Sequence, residues 1–333
     1  MPFPVRARVV VPEVTTVPPP IPVNWSHTSV SIAGRNGQGE PISLTDFRDP
    51  RWPGVIMLPG ATGLDMPPLA LFSDESPNLD GAIFRNSRTS SREIMIPVYL
   101  HGIDRQSINA LKRQFFQALN PARGYCVLSF TEGSGVTRRI NAYYKGGLEG
   151  SEGEESGFTF TRYGLTFTAM EPWFYADQVT SQQWTFGDSA KPFLSSTRAF
   201  LPLQVVSGVL GGDGAANVVI RNDGDIDAWP VWALTGPVKS FSLVGPDGAT
   251  VEALARADGS DVVPSGRTLT IDTRPGHKTA RDDLGANFWD RLSTNPVFWA
   301  VEPGETRATV NVVAGSGMAS ISLSFRPRFA SYI

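Results

Sequence analysis

Short runs in which every second residue is apolar, each ended within about ten residues by Asn, Asp, Gly or Pro, recur almost from end to end of this chain. In "REIMIPVYLHG" Ile94, Ile96, Val98 and Leu100 fall on one side of an extended backbone. In "FTFTRYGLTFTAMEPWFY" Phe158, Phe160, Leu165 and Phe167 alternate with threonine and other residues. A period of two places alternate side chains on opposite faces of a strand, so such runs predict half-buried β-strands rather than helices. The corners are plentiful, with 33 Gly and 27 Pro among 333 residues. The chain is therefore read as mainly β.

One segment changes period. In "DRQSINALKRQFFQALNPARG" Ile108, Leu111, Phe115 and Ala118 or Leu119 recur at three and four, which is one face of a helix. Asp104 is placed to cap its start and Asn120-Pro121 to stop it, so a helix is predicted over about 104–119, with Phe115 and Phe116 as core aromatics. Before it, "DMPPLALFSDESPNLDGAIF" shows no period and is read as irregular. After it, "YCVLSF" and "RRINAYYKGG" are strands. The acidic connection Leu148–Gly157 leads into a strand running to Tyr175, and the pair is read as a long hairpin.

These elements divide the chain. Residues 1–24 carry seven prolines, which remove backbone donors, and are predicted to form an extended arm. Residues 25–178 form a β-rich domain with one helix and the long hairpin. Residues 176–195 are a polar passage. Residues 196–333 hold about nine short runs, from "FLPLQVV" to "SISLSFRPRF", and are predicted to form an antiparallel β-sandwich.

The chemistry-bearing residues do not gather. Net charge is −3, with 29 basic and 32 acidic residues and no Lys/Arg cluster, which is a poor basis for gripping nucleic acid. The single cysteine, Cys126, lies in a strand-like run and is read as a small buried hydrophobe, with no intrachain disulfide available. In "NDGDIDAWPVWALTGPV" Asp223, Asp225 and Asp227 have the spacing that opens a calcium loop, but Ala228 and Leu234 stand where that loop needs Gly and Glu. Asn-Asp-Gly-Asp is read instead as a tight turn between strands. His27, His101 and His277 have no partner at metal-ligand spacing. Glu149, Glu152, Glu154 and Glu155 share a Gly/Ser-rich tip that cannot hold two carboxylates across a glycosidic bond. The reading is no catalytic residue, no metal, no cofactor and no membrane anchor. Trp229, Trp232, Trp289 and Trp299 lie within strand-like runs and are read as core, the rival being a sugar-stacking face.

Two constellations carry a family resemblance. The first is the order strand, helix "SINALKRQFFQAL", strands and hairpin, closed by Glu171-Pro172-Trp173-Phe174-Tyr175. The second is Asn222, Gly224, Pro230 and Gly236 at the opening of the second half, with Pro303-Gly304 before its last strands. Together they resemble the distal tail proteins of bacteriophages with long, non-contractile tails. The resemblance implies a ring, usually a hexamer, made by the first domain at the end of the tail tube, and a galectin-like sandwich projecting outward. It also implies a tail tube protein on one face, a hub or tail-associated protein on the other, and receptor-binding proteins nearby, in a virion tail assembled from protein made in the host cytoplasm. On that reading Glu149, Glu152, Glu154 and Glu155 line or rim a lumen that DNA crosses without sticking, since carboxylates repel phosphate. The rivals are a carbohydrate-binding tail module and a wall-degrading enzyme.

Overall fold

The computed structural model describes residues 28–45, 51–75, 77–78, 80–149, 159–187 and 214–333. The first unit is built from β1 (Ser29–Ala33), β2 (Ile42–Ser43), β3 (Gly54–Met57), β4 (Leu69–Glu75), β5 (Ala82–Thr89), β6 (Arg92–His101), the helix α1 (Arg105–Ala118), β7 (Cys126–Thr131), β8 (Thr137–Gly146), β9 (Phe160–Ala169) and β10 (Phe174–Ala176). Seven of these strands follow the order β2-β1-β7-β8-β9-β6-β3, all antiparallel, and β10 joins alongside β8. The sheet curls almost onto itself. Leu44 N donates to Val30 O (2.8 Å) and Leu44 O accepts from Met57 N (2.6 Å), so one residue links β1 to β3 across the seam.

The predicted alternation sets the packing. Ile94, Ile96, Val98 and Leu100 on β6 and Leu165 and Phe167 on β9 are fully buried, and each such side chain contributes about 1.5–3 kcal/mol by leaving water. The helix begins where the sequence places it. Asp104 accepts from Ser107 N (2.7 Å) while Ser107 Oγ accepts from Asp104 N (3.1 Å), closing a capping box, and the resulting bonds hold the Asp104 carboxyl below its ordinary pKa. Ile108, Phe115 and Leu119 face the core, whereas Phe116, expected inside with Phe115, is 51% exposed. It points off the stripe because one residue on a helix turns the side chain by about 100°.

The second unit is a sandwich. Its strands are β11 (Thr180–Gly187), β12 (Gly214–Asn222), β13 (Val231–Thr235), β14 (Val238–Val244), β15 (Thr250–Ala253), β16 (Thr268–Asp272), β17 (Thr279–Asp282), β18 (Gly304–Ala314) and β19 (Met318–Phe325). One layer has the order β11-β19-β13-β16-β17 and the other β12-β18-β14-β15. Between them lie Leu234, Leu243, Leu269, Ile271, Val310, Ile321 and Leu323, all at most 1% exposed. Trp232 lies in this core, stacked on Trp184 at 6.4 Å and edge-on to Trp299 at 5.6 Å. A last short strand, β20 (Arg328–Phe329), leaves the sandwich and pairs with β10 of the first unit.

Several expectations are corrected. The segment read as irregular contains β4 and β5, a two-stranded hairpin of its own. The Leu148–Gly157 connection joins β8 and β9, which pair antiparallel as expected, through Tyr143, Tyr144 and Gly146 among the described residues. The strand drawn to Tyr175 stops at Ala169, where Pro172, which has no N–H to give a ladder, separates β9 from β10. Part of the polar passage is β11, which pairs with β19, so the sandwich starts ahead of residue 196. "VFWAVEPG" is not a strand as read: its one isolated bridge is Ala228–Val301, Val297 N donates to Thr250 O (2.9 Å), and only its final Gly304 belongs to a strand, as the start of β18. The arm at 1–24 and the run "FLPLQVV" lie outside the described residues.

Candidate functional site

Two places stand out, an exposed hairpin and the joint between the units. The hairpin β4–β5 carries Leu69, Leu71, Phe72, Ile83 and Phe84, and all five are exposed, Leu71 at 68% and Phe84 at 63%. The register Leu71–Ser87, Phe72–Asn86 and Ser73–Phe84 puts Leu71 and Phe84 on one face and Phe72 with Ile83 on the other. Neither face has a core behind it. The ladder is closed at its base by Ser90 N donating to Pro68 O (2.9 Å) and braced by an exposed Arg85–Asp74 pair at 2.6 Å.

The joint is made by the segment after β19. Pro327 ends the sandwich strand, and the chain crosses to lay Phe329 opposite Phe174 and Arg328 opposite Tyr175. Arg92, 1% exposed, donates from one terminal nitrogen to Gly63 O (3.1 Å) and from the other to Ala330 O (2.6 Å), with its guanidinium 4.9 Å from the Phe174 ring. Burial pushes its pKa down to about 10, against a smaller upward pull from Asp65. Arg138 lies 3.8 Å over the Phe329 ring and donates to Ser331 O (3.1 Å), while Tyr332 packs against Phe130 at 5.2 Å.

On the sandwich side, Arg328 O accepts from Asp225 N (2.9 Å), Asp225 Oδ2 accepts from Ala330 N (3.1 Å), and the Arg328 guanidinium binds Asp227 O and Glu171 Oε1, the latter at 3.2 Å. Asn222, 1% exposed, donates to Ile226 O and Val301 O (3.0 Å each) and accepts from Gly224 N (3.0 Å). Gly224 has no room for a side chain, since a Cβ would sit 2.5 Å from Arg328 O. Gly304, with φ +88°, opens β18 directly opposite Asn222, next to Pro303.

The quoted motifs are thereby brought together. Glu171, buried Pro172, Trp173 and Tyr175 form one lip of the joint, and Asn222 and Gly224 form the other. Tyr175 donates to Asn141 Oδ1 (2.8 Å), and burial raises its phenol pKa. Pro230 is buried and its carbonyl accepts from Thr273 Oγ1 (2.6 Å); Gly236 packs where a Cβ would stand 2.2 Å from Pro264 O. These last two build the sandwich, away from the joint.

The aspartates of the opening turn do not converge on a common point. Asp223 pairs with Arg221 (2.7 Å), Asp225 is taken by Ala330 N, and Asp227 contributes its carbonyl to Arg328. Nor is the stretch a hairpin turn: β12 and β13 belong to different sheets, and it carries the chain across the sandwich. Glu149 folds back to accept from Gly147 N (2.7 Å), while Glu152, Glu154 and Glu155 lie outside the described residues. Trp232 and Trp299 are core, Trp229 is half-buried, and Trp289 is 37% exposed against Phe298. Cys126 is 1% exposed and burial pushes its thiol up to about 11. The hairpin and the arginines of the joint were missed from sequence; adjacent Leu71-Phe72 and Ile83-Phe84 in a polar segment are the signal that was available.

Residues 71–157, from within β4 to the β8–β9 connection, match the family described as the phage tail protein RIFT-related domain. That stretch is therefore similar to a phage tail protein domain, and it lies within a β-rich fold. The chain's fold is that of the SPP1 Dit protein, described as a paradigm of the hub adsorption apparatus in phages infecting Gram-positive hosts, with a TM-score of 0.58 at 12% identity over 90% of this chain and 99% of that one. A chain of the phage P2 baseplate in its activated, calcium-bound conformation aligns over 90% of this chain and 98% of its own at 10% identity, with a TM-score of 0.48. No curated protein sequence matches the chain. The resemblance read from the sequence holds for the fold and, over residues 71–157, for the phage tail domain.

Proposed function

We propose that this chain is a structural virion protein that forms a ring, hexameric by preference, at the distal end of a long, non-contractile phage tail. It joins the tail tube to the hub and host-binding proteins and leaves a lumen for DNA. The observation that carries the reading is the β4–β5 hairpin. A two-stranded ribbon with apolar side chains on both faces is marginal in water, and contiguous exposed apolar surface marks a contact face. The phage tail domain over residues 71–157 includes most of it, and the SPP1 Dit fold supports the same reading. The ring belongs to the first unit, the galectin-like sandwich stands outside it, and the acidic connection at Glu149, Glu152, Glu154 and Glu155 faces the lumen.

The test is electron microscopy of the purified full chain together with mass photometry. The wild type is expected to give six-fold annuli with density for the 147–159 connection toward the axis. The double variant L71D/F84D is expected to stay monomeric with an unchanged far-UV spectrum. A wild type that is monomeric at tens of micromolar, or annuli with that connection on the outer rim, would remove the ring or the lumen assignment respectively.

A further inference from the structure

A ring requires two different patches on each subunit, because a head-to-tail contact joins one surface to another and only a self-complementary patch gives a closed dimer. The hairpin is one patch. A second apolar patch lies at the far end of β6. The hairpin base, Ser90, is two residues before Arg92, where β6 begins, and β6 runs ten residues to His101, or about 33 Å at ~3.3 Å per residue. At that far end Gly54 and Phe160 flank His101, and Ile56 and Arg162 flank Tyr99. Tyr99 stacks on Phe160 (5.8 Å) and His101 (6.4 Å), with the Arg162 guanidinium 5.9 Å from its ring. Trp52, two residues ahead of Gly54, is 68% exposed, and Ile103, two beyond His101, is 57% exposed.

Charge matches as well as polarity. The distal half of the hairpin carries Asp74, Glu75 and Asp80 against Arg85. The segments that meet at the aromatic end carry Arg51, Arg105 and Arg162 against Asp104, three cations to one carboxylate. An acidic apolar ribbon at one end of a strand and a basic aromatic face at the other are complementary between copies and not within one copy.

From this placement we infer that the β4–β5 hairpin of one copy docks on the aromatic end of β3–β6–β9 in the next, through Trp52, Tyr99, Ile103 and Phe160. The inference rests on the ring reading and names its interface. It is heterologous, so the contact repeats head to tail until it closes.

Mixing tells this geometry from its alternatives. The variant L71D/F84D keeps the aromatic end, and W52D/I103D keeps the hairpin. Each alone is expected to be monomeric by mass photometry, and an equimolar mixture is expected to give a one-to-one dimer and nothing larger, since only one good interface can form. A mixture that stays monomeric while the wild type assembles, or a W52D/I103D variant that still forms wild-type rings, overturns the inference and leaves the ring standing. A monomeric wild type removes the ring itself. Should either aspartate variant unfold, thiol crosslinking of full-length W52C/F84C decides the point: a bis-maleimide is expected to produce a ladder up to the ring number, whereas W52C alone and F84C alone give none. Absence of the ladder in assembled W52C/F84C would equally overturn it.

Discussion

Replacing Arg92 with methionine is expected to cost about 3 kcal/mol of stability and to loosen the chain's last residues from the first unit. Methionine fills much of the space but donates nothing, so Gly63 O and Ala330 O lose donors at 3.1 and 2.6 Å inside the fold. An unsatisfied buried acceptor costs about 1–3 kcal/mol, so the two part-buried carbonyls together lose about 2–6 kcal/mol, and the lost contact with the Phe174 ring adds to this. Relief of the buried charge, visible in the pKa held down to about 10, works in the opposite direction and keeps the total near the lower part of the range. Thermal unfolding is expected to fall by about 6–12 °C for a unit of this size, and amide exchange at 328–333 is expected to quicken. The exposed Arg221–Asp223 pair is the control: Arg221→Met should move stability by less than about 0.5 kcal/mol. The attribution to the joint has its own check. In a chain ending at Phe325 the Ala330 acceptor is gone, so Arg92→Met should cost distinctly less there than in the full chain. Equal costs in both backgrounds would mean that Arg92 does not act through the terminal strap.

What the sequence disclosed follows from where water is excluded on one face only. β6, β9, β18 and β19 were legible because their alternate residues are buried and exposed in turn. The helix was legible from Asp104, the Ile108–Phe115 stripe and Asn120-Pro121. β11 was not, because Gln182, Gln183 and Thr185 surround Trp184 and only Phe186 is fully buried, leaving no apolar alternation to read. The hairpin failed for the converse reason: apolar residues on both faces leave no period at all. The run "SISLSFRPRF" reads as one strand, yet Pro327 divides it between two sheets, and local pattern does not say which sheet receives Arg328. The joint needs residues as distant as Arg92 and Ala330, 238 apart in sequence, and a buried arginine at a strand start looks like any surface cation until its partners are placed. Glu171 to Tyr175 and Asn222 to Gly224 were singled out from the sequence by the resemblance alone. Their shared physical reason, that both grip the same terminal strap, exists only in three dimensions.

The largest effect from the smallest change is expected at Gly34. Its φ is not in the left-handed region, so the constraint is space rather than backbone freedom. A Cβ there would stand 2.0 Å from the carbonyl oxygen of Ala118 and 2.8 Å from its Cα, well inside contact distance and against main chain that no rotamer change can move. Ala118 is the last residue of α1, and its carbonyl also receives the Cys126 thiol at 3.6 Å. The turn after Gly34 is pinned on the other side, where Asn36 N donates to Tyr125 O (2.9 Å) and Asn36 Oδ1 accepts from Tyr125 N (3.0 Å). Neither the turn nor the helix end can retreat without breaking bonds, so Gly34→Ala is expected to cost about 3 kcal/mol or more, the upper end for overpacking. Calorimetry should show unfolding lowered by about 6–12 °C. Cys126, buried and with its thiol pushed up to about 11, provides a local reporter: its labelling by a disulfide reagent at pH 8 should be very slow in the wild type and at least ten times faster in Gly34→Ala, as the helix end lifts away. Gly164→Ala is the matched control, because a Cβ there meets nothing nearer than Met95 Sδ at 4.0 Å, and it should change stability by less than about 0.5 kcal/mol. If Gly34→Ala behaves like Gly164→Ala in both measurements, the close approach of the β1 turn to the helix end does not fix how the helix sits over the barrel seam.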